Sequence, residues 1–350
     1  MQCHRLAVVS VSLIVAAALA GCSGGSGSGS AGLANSSSNG TLSIGLIDAP
    51  VTDAAKICLH ITQIDLKPVD GNAIQFPIDL TTDLLSLTPD NSATLLDSVS
   101  VPAGQYDWIR LTVDTGSTGS ASSSDCPSQQ SNSYVETTGG GVVPLRVPSG
   151  QVRLVSGFTV TADQQTSFDI EWNARKGLVN PVGQSNYMLQ PALRIIDMTQ
   201  YGTLEGTIAM TTITNADNYC NDDDPTNQNY DVGNVVYVYS GHDQTPDDIG
   251  GTGANPVATA DAKLNADQTA YTYKTILSPG DYTVAFTCQA GNDDPTADDP
   301  QVPLDPNDPA ATKTVTFLMP ASIANGGVTS DNPANGNITI DNGGDVTVDF

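Results

Sequence analysis

The sequence predicts an all-β chain: two β-sandwich domains in tandem, placed behind a signal peptide and a disordered Ser/Gly tether. Three observations carry this. Past position 41 the apolar residues recur every second position rather than every third or fourth, the runs are short, and Gly, Pro, Asn and Asp gather between them. Strands at that spacing bury their apolar faces by packing sheet on sheet. Residues 41–350 are also more than one core of usual size needs, so the chain divides near position 200, into residues 41–199 and 202–350.

The elements follow in order. Leu42, Ile44 and Leu46 alternate with small or polar neighbours up to a turn at Asp48-Ala49-Pro50. Ile57, Leu59 and Ile61 form the next run, after which the phase slips by one and resumes at Ile64 and Leu66. A β-bulge near Thr62 or Gln63 produces such a slip. Ile74, Phe76 and Ile78 make a third strand, and residues 83–87 and 92–96 look capable of a helical turn. Pro102-Ala103-Gly104 turns the chain into Ile109, Leu111 and Val113, and residues 142–147, 152–160, 166–172 and 187–198 supply further strands. In the second half, strands are expected over 203–210, 235–239, 257–264, 270–276, 281–288, 312–318 and 337–350. Tyr106 and Tyr282 each follow a Pro/Gly turn, and both read as structural, with the ring packed and the hydroxyl within reach of backbone at a sandwich corner.

Two resemblances rest on these segments. The succession of Leu46-Ile47-Asp48-Ala49-Pro50, the strand at 64–68, residues 79–87, 102–114 and 144–150, Gly157-Phe158-Thr159-Val160, residues 169–179 with Arg175-Lys176, and 189–197 resembles the domain of unknown function 4382 family of bacterial exported lipoproteins. The resemblance implies an extracytoplasmic β-rich domain without assigned chemistry. A Ser-rich insertion at 117–133, around Cys126, departs from it. The run Leu277-Ser278-Pro279-Gly280-Asp281-Tyr282-Thr283-Val284 resembles carboxypeptidase regulatory-like domains, which are transthyretin-type sandwiches with a carbohydrate-binding-like fold. That implies an accessory module rather than a peptidase.

The N-terminus reads as an export segment. Arg5 precedes an apolar stretch over 6–20 that is short for a bilayer span and of the right length for a signal. Leu19-Ala20-Gly21-Cys22 closes it and resembles the lipobox of bacterial lipoproteins. The resemblance implies removal of residues 1–21, a diacylglyceryl thioether on Cys22 and acylation of the new amino group, an anchor of several acyl chains. Ser23 stands where an Asp would signal inner-membrane retention in enteric bacteria, so the expected location is the cell envelope at the outer membrane. Residues 22–40 form the lipidated Cys and its linker. The stretch 23–40 is almost wholly Ser, Gly, Asn and Ala, has nothing to bury, and reaches about 25 Å as a random coil.

Charge excludes one class of partner. With 12 Lys and Arg against 38 Asp and Glu, the net charge of −26 repels nucleic acid. Outside the cytosol Cys58, Cys126, Cys220 and Cys288 form disulfides, and three pairings are open. Two cysteines fall in each half, which favours Cys58 with Cys126 and Cys220 with Cys288. Beyond residue 22 the only histidines are His60 and His242, too few for a histidine-rich zinc site, and His60 falls on the polar phase of its strand, a surface position. No Walker loop or dinucleotide fingerprint occurs, and no enzymatic activity is expected.

One cofactor site is a candidate. Asp222, Asp223 and Asp224 lie beside Cys220, and Asp293, Asp294, Asp298 and Asp299 follow Cys288. A Cys220–Cys288 bond would bring both acidic stretches together, and a hard cation with oxygen ligands, Ca2+, would relieve their repulsion. Loops that are simply solvated and broken by proline are the other reading, and the lack of an EF-hand register favours it. Taken together, the sequence points to a lipid-anchored, non-catalytic surface module that binds a glycan or an envelope protein. A structural or assembly component of the envelope, and a hydrolase working through loop carboxylates, are the alternatives.

Overall fold

The computed structural model describes residues 38–49, 54–117, 121–180, 186–215, 220, 233–299, 315–325, 328–329 and 333–350. Up to Asp197 the strands are β1 (Asn39–Ala49), β2 (Ala54–Pro68), β3 (Ile74–Asp83), β4 (Ala93–Pro102), β5 (Gly104–Val113), β6 (Tyr134–Thr137) and β7 (Val142–Arg146). They continue as β8 (Gln151–Leu154), β9 (Phe158–Val160), β10 (Gln165–Asn173), β11 (Leu178–Val179), β12 (Tyr187–Leu189) and β13 (Leu193–Asp197), with one helical turn, α1 (Ala174–Gly177).

These strands make two sheets. One has the order β13-β10-β1-β4; the other runs β11-β12-β7-β6-β2-β5-β8, with β3 also on β2 and β9 also on β5. Leu42, Ile44 and Leu46 of β1, Phe168, Ile170 and Trp172 of β10, and the apolar phases of β2 and β5 meet in one core. Each such side chain taken fully out of water contributes roughly 1.5–3 kcal/mol before entropy is counted. The bulge foreseen in β2 is present: its register against both β3 and β5 shifts between Ile61 and Gln63, which keeps Ile61 and Ile64 equally buried. The pairing of β1 with β10 is parallel, from Thr41 opposite Gln165 to Ala49 opposite Asn173.

Of the two expected helical turns, one forms. Asp83 caps a 3-10 turn at Leu84–Ser86, its Oδ1 accepting from the Leu85 amide at 3.2 Å. Residues 93–96 of the second stretch instead open strand β4, because Leu95 and Leu96 are both buried and β1 offers the backbone partners, with Leu96 opposite Ile44. His60 is also not a surface residue. Its side chain is only 12% exposed, set between Asp79 of β3 and Asp114, which directly follows β5. Its Nε2 lies 2.9 Å from Asp79 Oδ1 and its amide donates to Ser133 Oγ.

From Gly202 the strands are β14 (Gly202–Ala209), β15 (Val235–Ser240), β16 (Ala258–Asp261), β17 (Lys263–Leu264) and β18 (Ala270–Leu277). Then come β19 (Gly280–Thr287), β20 (Ser322–Asn325), β21 (Val328–Thr329), β22 (Asn337–Ile340) and β23 (Asp345–Asp349). A short helix, α2 (Met210–Thr214), follows β14. The sheets have orders β17-β18-β14-β23-β20-β21 and β16-β15-β19-β22. The strand expected over 312–318 lies partly outside the described residues; its remainder makes one bridge, Leu318 to Phe286, and the regular pairing there belongs to β20 and β21.

Tyr106 and Tyr282 do what the turns before them suggest. Each hydroxyl donates to a carbonyl four residues upstream at 2.8 Å, Pro102 for Tyr106 and Ser278 for Tyr282. Tyr106→Phe and Tyr282→Phe each forfeit one partly buried hydrogen bond and should lower stability by about 1 kcal/mol. The change is read as a lower denaturant midpoint at unchanged slope.

The two sheet pairs dock on each other, and residues 37–350 form one compact unit. Ile47, Ile196 and Ile276 make an apolar contact between them, and Arg194, paired with Glu171, donates to the Ile276 carbonyl at 2.9 Å. The turn α1 and its cap supply four more hydrogen bonds. Asn173 at its cap donates to Thr259 Oγ1, Lys176 to the Pro256 carbonyl, and Arg175 to the Ala290 carbonyl and to Asp261.

Candidate metal centre

The site begins with β15, which is apolar on both phases. Val236 and Val238 enter the core of the second sandwich, while Val235, Tyr237 and Tyr239 pack on the opposite face with Ile249, Ala285 and Ala290. A strand buried on both sides needs cover, and two loops provide it. Residues 241–257 join β15 to β16, and residues 288–299 follow β19.

Tyr239 pins the first loop: its hydroxyl donates to the Asp247 carbonyl at 2.6 Å and accepts from the Asp247 amide at 3.1 Å. Tyr237 pins the second, donating its hydroxyl to Asp293 Oδ2. The loops then hold each other. The Ile249 amide donates to Asp293 Oδ2 at 3.2 Å, and the Asp299 amide to Asp248 Oδ2 at 3.0 Å. Gly250 sits between them at φ +93°, where a Cβ would come within 2.8 Å of the Ala297 carbonyl oxygen. Only glycine tolerates both that conformation and that approach.

Carboxylates converge as a result. Oxygens of Asp247, Asp248 and Asp298 lie within 4.8 Å of one another, as do oxygens of Asp248, Asp293 and Asp299. Asp248 belongs to both groups and is 0% exposed. Its Oδ1 is buried without a hydrogen-bond partner, and so is Asp293 Oδ1. Burial, with smaller contributions from neighbouring acids, pushes the Asp248 carboxyl up to about 6, and burial does the same to Asp293. The donor set is all oxygen, which suits a hard cation rather than zinc.

Three of the sequence candidates, Asp293, Asp298 and Asp299, are therefore in the cluster. Asp294 is not: its Oδ1 accepts from the Thr296 amide and hydroxyl and closes a turn. Asp222, Asp223, Asp224 and Cys22 lie outside the described residues. Cys220 and Cys288 are bonded, with Cα atoms 5.0 Å apart, as are Cys58 and Cys126 at 5.7 Å. Sequence reasoning missed Asp247 and Asp248. The available signal was an Asp-Asp pair followed by Ile-Gly-Gly in a long connection, beside a strand with Tyr at two alternate positions.

A groove of about 380 Å³ runs beside this cluster at the junction of the two sheet pairs, lined by polar side chains that include Asn173, Lys176, Gln190, Arg194 and Asn255. No described helix is long and apolar enough to cross a membrane.

Comparison with solved structures gives low similarity. The Bacillus anthracis TIE protein is 13% identical with a TM-score of 0.18, over 73% of this chain and 30% of that one. The fimbrial anchor protein Mfa2 from Porphyromonas gingivalis is 8% identical with a TM-score of 0.19, over 70% and 77%. The major pilin from Streptococcus pyogenes is 10% identical with a TM-score of 0.16, over 89% and 97%. Scores this low carry no function across. The chain thus spans less than a third of the TIE protein, and among curated proteins none matches it. At the level of families, residues 39–191 match the domain of unknown function DUF4382.

Proposed function

We propose that this chain is a lipid-anchored, non-catalytic protein of the cell envelope that presents two β-sandwich bodies from the outer membrane as a binding or adhesion module for glycan or protein ligands. The observation that carries the reading is Leu19-Ala20-Gly21-Cys22 at the end of an apolar export segment, followed by Ser- and Gly-rich chain as far as β1 at Asn39. Such a linker is a tether, and it holds a folded body a few nanometres off the lipid. The polar groove at the junction suits a ligand rich in hydroxyl or amide groups, since amide and charged side chains there can pair with them. The C-terminal half fits the same picture as a carboxypeptidase regulatory-like accessory sandwich.

Fractionation of cells expressing the full chain tests the anchor. The parent should sediment with membranes, and Cys22→Ser should lose that association while retaining its disulfides. A variant that sediments like the parent contradicts the proposal. Glycan-array binding by the full chain, reduced at least tenfold by Gln190→Ala with Asn255→Ala, is expected if the groove receives sugar.

A further inference from the structure

We infer that the loops carrying Asp247, Asp248, Asp293, Asp298 and Asp299 bind Ca2+, with Asp248 as the shared ligand, and that the ion straps the two loops together over β15. The inference stands apart from the anchoring reading.

Convergence of acids alone would not require an ion, because acidic loops at a surface are readily solvated. Asp248 is different. It is 0% exposed, its Oδ2 is used by the Asp299 amide, and its Oδ1 has no donor although it sits among other carboxylates. Asp293 repeats the arrangement, with Oδ2 taken by Tyr237 and Ile249 and Oδ1 left over. A buried carboxylate oxygen without a partner is costly, and two in one cluster call for something positive between them. The Arg175 guanidinium makes no hydrogen bond to either oxygen: its Nη1 and Nη2 donate to Ala290 and Asp261, its Nε has no partner, and its charge offsets only part of the rise that burial imposes on Asp293.

The ligand set selects the ion. Oxygens drawn from two loops, with neither nitrogen nor sulfur in either group, match a cation that accepts six to eight oxygens in irregular geometry. Mg2+ demands a near-ideal octahedron and keeps its waters, which side chains on two separate loops are poorly placed to satisfy. The strap has a structural consequence. Ala290, whose carbonyl receives Arg175, lies at the start of the second loop, so an ion that fixes this loop also fixes the junction between the sheet pairs.

The test uses the full chain in detergent, stripped with a chelator. Titration with CaCl2 should give a saturable heat, with Kd in the range of about 10⁻⁶ to 10⁻³ M, and should raise Tm by about 2 °C at tenfold excess over Kd. MgCl2 at the same concentration should not. Asp248→Asn should abolish the calcium-dependent rise. Should that variant fail to fold, the exposed Asp298→Asn decides, with an unchanged Tm in chelator and at least tenfold weaker calcium binding. The inference is overturned by absence of heat and of Tm shift up to about 10 mM CaCl2, by an equal response to MgCl2, or by an undiminished calcium response in Asp298→Asn.

Discussion

Arg175→Ala should lower the free energy of unfolding by about 3–5 kcal/mol, the cost of leaving one partner of a buried ion pair alone. Arg175 is buried on α1, held in place because Asn173 caps the turn through the Lys176 amide and Asp48 accepts from the Ala174 amide. Its Nη1 donates to the Ala290 carbonyl at 3.0 Å and its Nη2 to Asp261 Oδ1 at 3.2 Å. Burial raises the Asp261 carboxyl above its ordinary value, and the guanidinium is what opposes that rise. Removing it strands a carboxylate and a carbonyl at the junction. Arg175→Lys should recover little, since one ammonium cannot reproduce a planar fork over two acceptors. Arg175→Met combined with Asp261→Leu should recover most of the loss, because replacing both charges removes the desolvation cost together with the attraction. Urea unfolding of the three variants checks all of this; equal stability of Arg175→Ala and the parent would remove the junction from the account.

Replacing Cys58 and Cys126 together by alanine should cost about 4 kcal/mol, the chain entropy released when a closure of 68 residues is opened in the unfolded state. Cys58, Cys126 and Tyr134 form their own buried cluster on the outer face of β2. The same bond holds down the Ser-rich segment whose Ser133 accepts from the His60 amide, so its loss should also expose that histidine. Denaturant midpoints give the first effect, and faster modification of His60 by an imidazole-directed reagent gives the second. A midpoint unchanged from the parent would contradict both.

Much of the fold was legible from side-chain phase. The slip between Ile61 and Ile64 marked the bulge, and the Pro/Gly turns before Tyr106 and Tyr282 marked two corners, because period and turn chemistry are local properties. What depended on distant partners was not legible. Residues 92–96 read equally well as a helical turn until β1 supplied hydrogen-bond partners, and nothing local announces that β1 pairs in parallel with β10, over a hundred residues away. His60 looked exposed since the groups at its ring, Asp79 and Asp114, come from other elements and leave no apolar pattern beside it.

The candidate site divided the same way. The acidic stretch after Cys288 was visible as composition, but composition could not separate Asp293, which Tyr237 and Ile249 draw inward, from Asp294, which only caps Thr296. Asp247 and Asp248 were hidden for a further reason. Their burial follows from β15 being apolar on both phases, which obliges two loops to close over it.

The central claim, an acylated Cys22 carrying these sandwiches on the outer membrane, is tested most directly by the intact mass of the protein extracted from membranes. The account predicts a chain that begins at Cys22 and carries the mass of a diacylglyceryl group and an amide-linked acyl chain. A chain that retains residues 1–21, or one with Cys22 unmodified, would contradict it.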